Sequence, residues 1–327
     1  MNRSILIALI PFVLAACSSS DNDSNPGANN PPPSAAMTID AGNGLQVAQV
    51  AYQSAAGSGD FADLAGDTGL TGNAGGNLFK PSTNSPGLFD NLMQIAVGPL
   101  ELACNVSGTA TITADLGDPT GQTLTAGDTI TTTFDACNDG IGEVLDGTLE
   151  AEILMITGDV LSGIYEMTMR MDLTNFQSTT ATDVLLANGD ATATINTLET
   201  PYVEASVSGS SMLSDTNGST ETLTNYSSAQ TVDTGVIPSP YTLVTSGTLD
   251  SSQLTGSVTY STPVRFEGAD ANYPNVGEML IVGDSSSARL IAQANGVDVV
   301  IQIFSNTTGT GTPDSTINTT WTELAGL

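Results

Sequence analysis

Few residues in this chain can do chemistry. It has no histidine, Lys80 is its one lysine, and its three cysteines stand at 17, 104 and 137. Without imidazole the Ser-His-Asp and Cys-His catalytic sets cannot be built, and most transition-metal sites lose a usual ligand. Lys80 closes the run Asn77-Leu78-Phe79-Lys80, with asparagine where a Ser-x-x-Lys hydrolase needs serine. Two carboxylates could run a glycosidase-type reaction, but among 35 acids no spacing singles out a pair. Aromatics are 5% of the chain, with Trp321 the single tryptophan, which speaks against a stacking groove for sugars. The expectation is a protein that is not an enzyme and carries no cofactor.

Three weaker patterns remain. Asp135, Asp139 and Asp146 occupy positions 1, 5 and 12 of an EF-hand-like loop with Gly140 at 6. Position 3 is Cys137 and position 12 is Asp instead of Glu, so a surface turn is the favoured reading, calcium the weak one, and no metal is expected. Met167, Met169 and Met171, with Met155 on a preceding strand, could offer thioethers to Cu(I). Adaptable core packing is the ordinary use of methionine. Between these lies a possible apolar ligand face formed by Tyr165, Met167, Met169, Met171 and Leu173. Arg170, Arg265 and Arg289 sit in strand-like segments and are expected to pair with carboxylates.

The first residues point to export. Arg3 precedes an apolar run from Ile5 to Ala16, interrupted by Pro11 and closed by Cys17. A run this short does not span a bilayer, which takes about 20 residues, but suits a signal peptide. Leu14-Ala15-Ala16-Cys17 resembles the lipobox of bacterial lipoproteins. That resemblance implies removal of residues 1 to 16 and lipidation of Cys17, and two or more acyl chains anchor stably. Ser18 in place of an aspartate implies, by the same resemblance, the outer membrane, with the leaflet open between the periplasmic and surface faces.

An exported chain places Cys104 and Cys137 in an oxidising compartment, where they are expected to form a disulfide stabilising the fold by roughly 3 to 4 kcal/mol. Losing Arg3 and no acid moves the net charge from -30 to -31. Such a polyanion cannot neutralise phosphates, so nucleic acid is excluded as a partner. It is also repelled by anionic headgroups, which leaves the lipid anchor to hold the membrane.

The elements follow from pattern. Residues 17 to 36 comprise the lipidated cysteine and a polar, proline-bearing tether that cannot offset its ordering entropy. Residues 37 to 327 form one β-rich domain, with a helical and loop layer over 37 to 103 and an antiparallel sheet over 104 to 327. Asn43 is the expected N-cap of a helix of about three turns, Leu88 to Val97 a second and weaker helix, and Gly66 to Ser85 the loop between. From Val106 onward turn signals recur among Thr, Val and Ile, and Asn188-Gly189, Asn217-Gly218 and Asn295-Gly296 read as hairpin turns. Ile164 to Thr174 alternates with period two, as does Val297 to Phe304. A hairpin of Val106 to Asp115 with Asp128 to Asp135, turning near residues 120 and 121, would set Cys104 opposite Cys137. The fold class is mainly β: a large curled antiparallel sheet (barrel, half-barrel or sandwich) with one or two short N-terminal helices, because so many strands cannot stay flat.

Near the C-terminus, Gly277-Glu-Met-Leu-Ile-Val-Gly283, Ser287-Ala-Arg-Leu, Val297-Asp-Val-Val-Ile and Thr319-Thr-Trp321-Thr-Glu-Leu324 resemble the last module of a group of uncharacterised proteobacterial lipoproteins. Phe134-Asp-Ala-Cys137 with Gly147-Thr-Leu is similar to another element of that group. Members often carry an Asp-rich turn where this chain has Ser305-Asn-Thr-Thr-Gly-Thr-Gly311, without acids. The resemblance implies a β-rich fold at the outer membrane and brings no activity with it. Two functions stay open: a structural or interaction module whose partner is an envelope protein, and a carrier of lipid or another hydrophobic ligand.

Overall fold

The computed structural model describes residues 34 to 67, 98 to 118, 123 to 138, 140, 144 to 159, 163 to 181, 184 to 269 and 273 to 325, with the backbone alone for 57 to 67. The signal segment, Cys17, the tether through residue 33 and the expected helix at Leu88 to Val97 lie outside these residues. The strands are β1 (Leu100–Ala103), β2 (Ser107–Asp115), β3 (Thr129–Asn138), β4 (Val144–Asp159), β5 (Ile164–Thr179), β6 (Val184–Asn196) and β7 (Tyr202–Thr216). They continue as β8 (Ser219–Asp233), β9 (Pro240–Ser251), β10 (Val258–Ala269), β11 (Val276–Val282), β12 (Ser287–Ala292), β13 (Asp298–Phe304) and β14 (Ser315–Thr320). All fourteen lie in one sheet in chain order, each antiparallel to its sequence neighbours. β1 and β14 do not pair with each other, so of the expected forms the sheet is the open, curled one and not a closed barrel.

Curling has a local cause. Register shifts fall near Gly108 and Ala136 on β2–β3 and β3–β4, and near Gly147 and Asn175 on β4–β5 and β5–β6. Others fall near Gly189 and Ser210 on β6–β7 and near Asn225 on β8–β9, while β7 and β8 pair in unbroken register. Along this seam Gly108, Ala136, Gly147, Asn175, Gly189 and Asn225 all have positive φ. Each bulge bends its strand and sharpens its twist, and a line of them across the sheet acts as a crease. The backbone N–H groups displaced at the crease are taken up by side chains of adjacent strands. Ala136 N–H donates to Asp146 Oδ1 (2.8 Å) and Asn175 N–H to Asn188 Oδ1 (2.6 Å). Ser210 and Ser211 N–H both donate to Asp190 (3.0 and 3.2 Å).

Inside the curl lies α1 (Gly44–Asp67), packed over β6 to β9 and against β12 and β13. Val47, Ala48, Val50, Ala51 and Ala55 are buried along one face. Their small side chains let the helix axis approach the apolar inner surface closely. Asn43 caps the helix with its carbonyl, which accepts from Val47 N–H (2.9 Å), while its side chain turns back to Asp40 N–H and Thr38 O. α1 is twice the expected length. It runs through Gly57 and Gly59, since a glycine inside a helix costs only about 1 kcal/mol.

Three further expectations are corrected. Asn217-Gly218 and Asn295-Gly296 are turns, but Asn188-Gly189 lies inside β6, where Asn188 feeds the crease. The disulfide is present, with Cα atoms 5.4 Å apart. However, β2 and β3 pair three residues out of the expected register (Ala110 faces Phe134), and Cys104 sits in the β1–β2 turn. The bulge at Ala136 carries Cys137 to it, so the bridge ties that turn to β3. Residues 34 to 36, assigned to the tether, are seated: Ser34 bonds Asp250 through N–H (2.6 Å) and Oγ (3.0 Å), and Ala36 bridges Ser257.

The crease predicts unequal costs for two glycines of similar φ. A Cβ on Gly147 (φ 93°) would stand 2.1 Å from Asn175 O, whereas one on Gly127 (φ 94°) meets nothing within 4 Å. Gly147→Ala is expected to lower stability by at least about 2 kcal/mol and Gly127→Ala by roughly 1 kcal/mol. Urea midpoints at unchanged slope measure both, and equal losses would refute the crease as the tight point.

Candidate functional site

Tyr165, Met167, Met169, Met171 and Leu173 share the inner face of β5, as their alternation predicts, with exposures of 1, 0, 1, 2 and 6%. A side chain without accessible surface borders no void that a water could enter. This face belongs to the core that also contains Val47 and Val50 of α1. Met155 does not join it. A register shift between Ile153 and Met155 sets Met155 beside Thr168 on the outer face, 38% exposed, so the four thioethers do not converge.

The calcium candidates are Asp135, Asp139 and Asp146. Asp139 lies outside the described residues, and Asp146 spends its carboxylate on the Ala136 N–H. Among the described residues no three His, Cys, Asp or Glu side chains are grouped to hold a metal. The arginines are paired as expected: Arg170 with Glu152 (2.8 Å) and Asp172 (3.4 Å), Arg265 with Glu267 (2.7 Å), and Arg289 with Glu278 (3.1 Å).

The tryptophan of the C-terminal run is a plug. Trp321 opens α2 (Trp321–Leu324) and is wholly buried against Tyr52 of α1 (centroids 4.9 Å), Phe266 (5.8 Å) and Tyr273 (5.9 Å, stacked). Its Nε1–H donates to Pro274 O (2.9 Å). Thr320 accepts from Glu323 N–H at the helix start, Thr319 Oγ1 bonds Glu323 Oε2 (2.6 Å), and Gln53 Nε2 donates to Leu324 O (3.0 Å). Thr320 thus caps α2, Thr319 ties it to β14, and Gln53 and the Tyr52 ring tie it to α1.

Two groups of interest escape sequence reasoning. Glu221 of β8 faces α1, where Ser54 Oγ lies 2.8 Å from Oε2 and Ser251 Oγ 3.4 Å from Oε1. Burial raises its pKa, and the two hydroxyls offset this only in part. Nothing in Thr-Glu221-Thr marks it as half-buried, since β8 as a whole alternates weakly.

The second group is an exposed apolar patch. Antiparallel order places the β4–β5, β6–β7 and β8–β9 turns at one end of the sheet, and there Ile164, Leu198, Tyr202, Val236 and Ile237 are exposed by 48, 38, 45, 49 and 71%. The turns touch: Thr197 Oγ1 donates to Gly163 O (2.9 Å) and Thr234 N–H to Pro201 O (3.0 Å). Exposed Pro201 and Pro238 extend the surface. A single exposed apolar side chain needs no explanation, whereas here five are exposed where three touching turns meet.

Two outcomes are expected. Trp321→Ala should cost about 3 to 5 kcal/mol and release α1, seen as a collapse of amide protection in the helix; retained protection would refute the plug. For Glu221, the folded state binds its proton more tightly than the unfolded state. Stability therefore falls as pH rises from the ordinary glutamate range through the raised folded value, and the penalty is full above it. Glu221→Gln should raise the thermal midpoint at pH 8 and leave the parent's value unchanged near pH 3. A midpoint lowered at pH 8 would contradict charge burial.

No known protein family, curated protein or solved structure matches this chain.

Proposed function

We propose that the chain is a lipid-anchored protein of the cell envelope whose folded part is a structural or interaction module at the outer membrane. The observation that carries this reading is the filled interior. The inner face that could have held a hydrophobic ligand is consumed by its own packing, with Met167 at 0% and Tyr165 at 1% exposure. What remains for recognition is the surface, and the surface carries a defined apolar patch. The bridge between Cys104 and Cys137 fits an oxidising compartment. The absence of histidine and the separation of Met155 from Met167, Met169 and Met171 support a non-enzymatic role. The run Leu14-Ala15-Ala16-Cys17 supports the anchor.

Growth with an alkyne-tagged fatty acid tests the anchor directly. The full chain should take up the tag and sediment with the outer membrane. Cys17→Ala should lose the tag and leave the membrane fraction. An untagged parent chain overturns the reading.

A further inference from the structure

We infer that the apolar patch formed by Ile164, Leu198, Tyr202, Val236 and Ile237 docks a protein partner whose contact surface is apolar and ringed by lysine or arginine. The inference rests on the envelope reading above and gives the partner its chemistry.

Position argues first. The chain enters the fold at Ser34, which bonds Asp250, and Ala36 bridges Ser257 in the β9–β10 turn. That is the end of the sheet opposite the patch, by the alternation of strand direction. The strands between the two ends have 15 or 16 residues, or roughly 50 Å at the usual rise. On the anchored reading 17 residues lead from Cys17 to Ser34, where the chain joins that opposite end. The patch thus stands away from the membrane that holds the anchor, and a bilayer is a poor occupant.

Charge argues next. Glu166 and Glu204 flank the patch on the outer faces of β5 and β7, Glu199 lies in the β6–β7 turn, and Asp233 faces Tyr202 across β7 and β8. The segments 163 to 168, 196 to 204 and 231 to 241 contain no lysine or arginine. A second copy would bring the same carboxylates against these, and like charges across an interface cost several kcal/mol. An apolar centre with a basic rim satisfies both parts of the surface, as interfaces with an apolar core and a polar rim do.

The test places the photocrosslinker p-benzoylphenylalanine at Ile237, at Tyr202 and, as control, at exposed Thr113 of the outer face, each in the full chain in intact cells. Crosslinks from 237 and 202 should exceed that from 113 at least about tenfold, as expected of a hot-spot centre. They should map to a segment of another protein with apolar residues flanked by lysine or arginine. Glu199→Lys, at an exposed turn position, should weaken the association about threefold to tenfold. An adduct with a second copy, with another part of this chain, with lipid, or with a segment lacking basic residues overturns the inference. So does a yield no higher than that at Thr113, provided the Cys104–Cys137 bridge has closed. Cys17 that takes up no lipid defeats the anchored reading instead, and does so by a different measurement.

Discussion

A meander of fourteen strands has one apolar face too large to leave in water, and the constraint that shapes this molecule is that the sheet must bend to cover it. The bulge seam is how it bends. Each bulge gives up ladder hydrogen bonds, and an unpaired buried N–H costs about 1 to 3 kcal/mol. At this seam the displaced groups are exposed and are nevertheless paired, Asp146, Asn188 and Asp190 accepting from them. In Asp190 burial pushes the pKa up, but the bonds from Ser210 and Ser211 outweigh it and hold the carboxyl below its ordinary value. The seam is therefore a polar network in service of an apolar end. Once curled, the sheet forms a trough, and burying side chains such as Tyr165, Met167 and Phe266 in it stabilises the fold by about 1.5 to 3 kcal/mol each.

Two clamps hold the ends of this trough. At one corner β1 has only four residues, and Ile112 and Ile130 form a small hydrophobic cluster separate from the main core. Here the disulfide supplies stability that burial does not. At the opposite side α2 drives Trp321 between Tyr52, Phe266 and Tyr273, joining α1 to the last strands. Asp128 does comparable work in the β2–β3 loop, where its buried carboxylate accepts from Gly117 N–H and Thr125 N–H (both 2.7 Å). Covalent, aromatic and polar restraints thus tie β1, α1 and the β2–β3 loop to the rest of the sheet.

Whatever is local was legible in the sequence, and whatever depends on register was not. Asn217-Gly218 forms its turn because the two residues supply positive φ by themselves, 54° and 84°. The inner face of β5 follows from alternation within one strand. Asn188-Gly189 carries the same chemistry as Asn217-Gly218, but its partners across β5 and β7 assign it to a bulge. Met155 lands on the outer face because one inserted residue reverses every side chain beyond it. The Cys104–Cys137 pair was inferred correctly from compartment and number, but from a register three residues away from the true one, since the bulge at Ala136 is invisible in Phe-Asp-Ala-Cys. The patch was illegible for the same reason. Leu198 and Ile237 are 39 positions apart in sequence, and only the order of the strands makes them neighbours.

The outer face shows what the patch is not. Over most of that face hydroxyl side chains pair across strands, as Thr168 does with Thr194 (3.0 Å) and Ser227 with Ser246 (2.9 Å), among scattered carboxylates. Such a surface, on a chain of net charge -30, is wetted and self-repelling, which guards an open sheet against edge-to-edge growth. An apolar side chain placed on it gains nothing for the fold. Ile237 is 71% exposed and Val236 49%, so the burial energy of these residues is left unspent in the isolated domain. Their concentration at the end remote from the chain's entry is then best explained by what they bury when something else arrives.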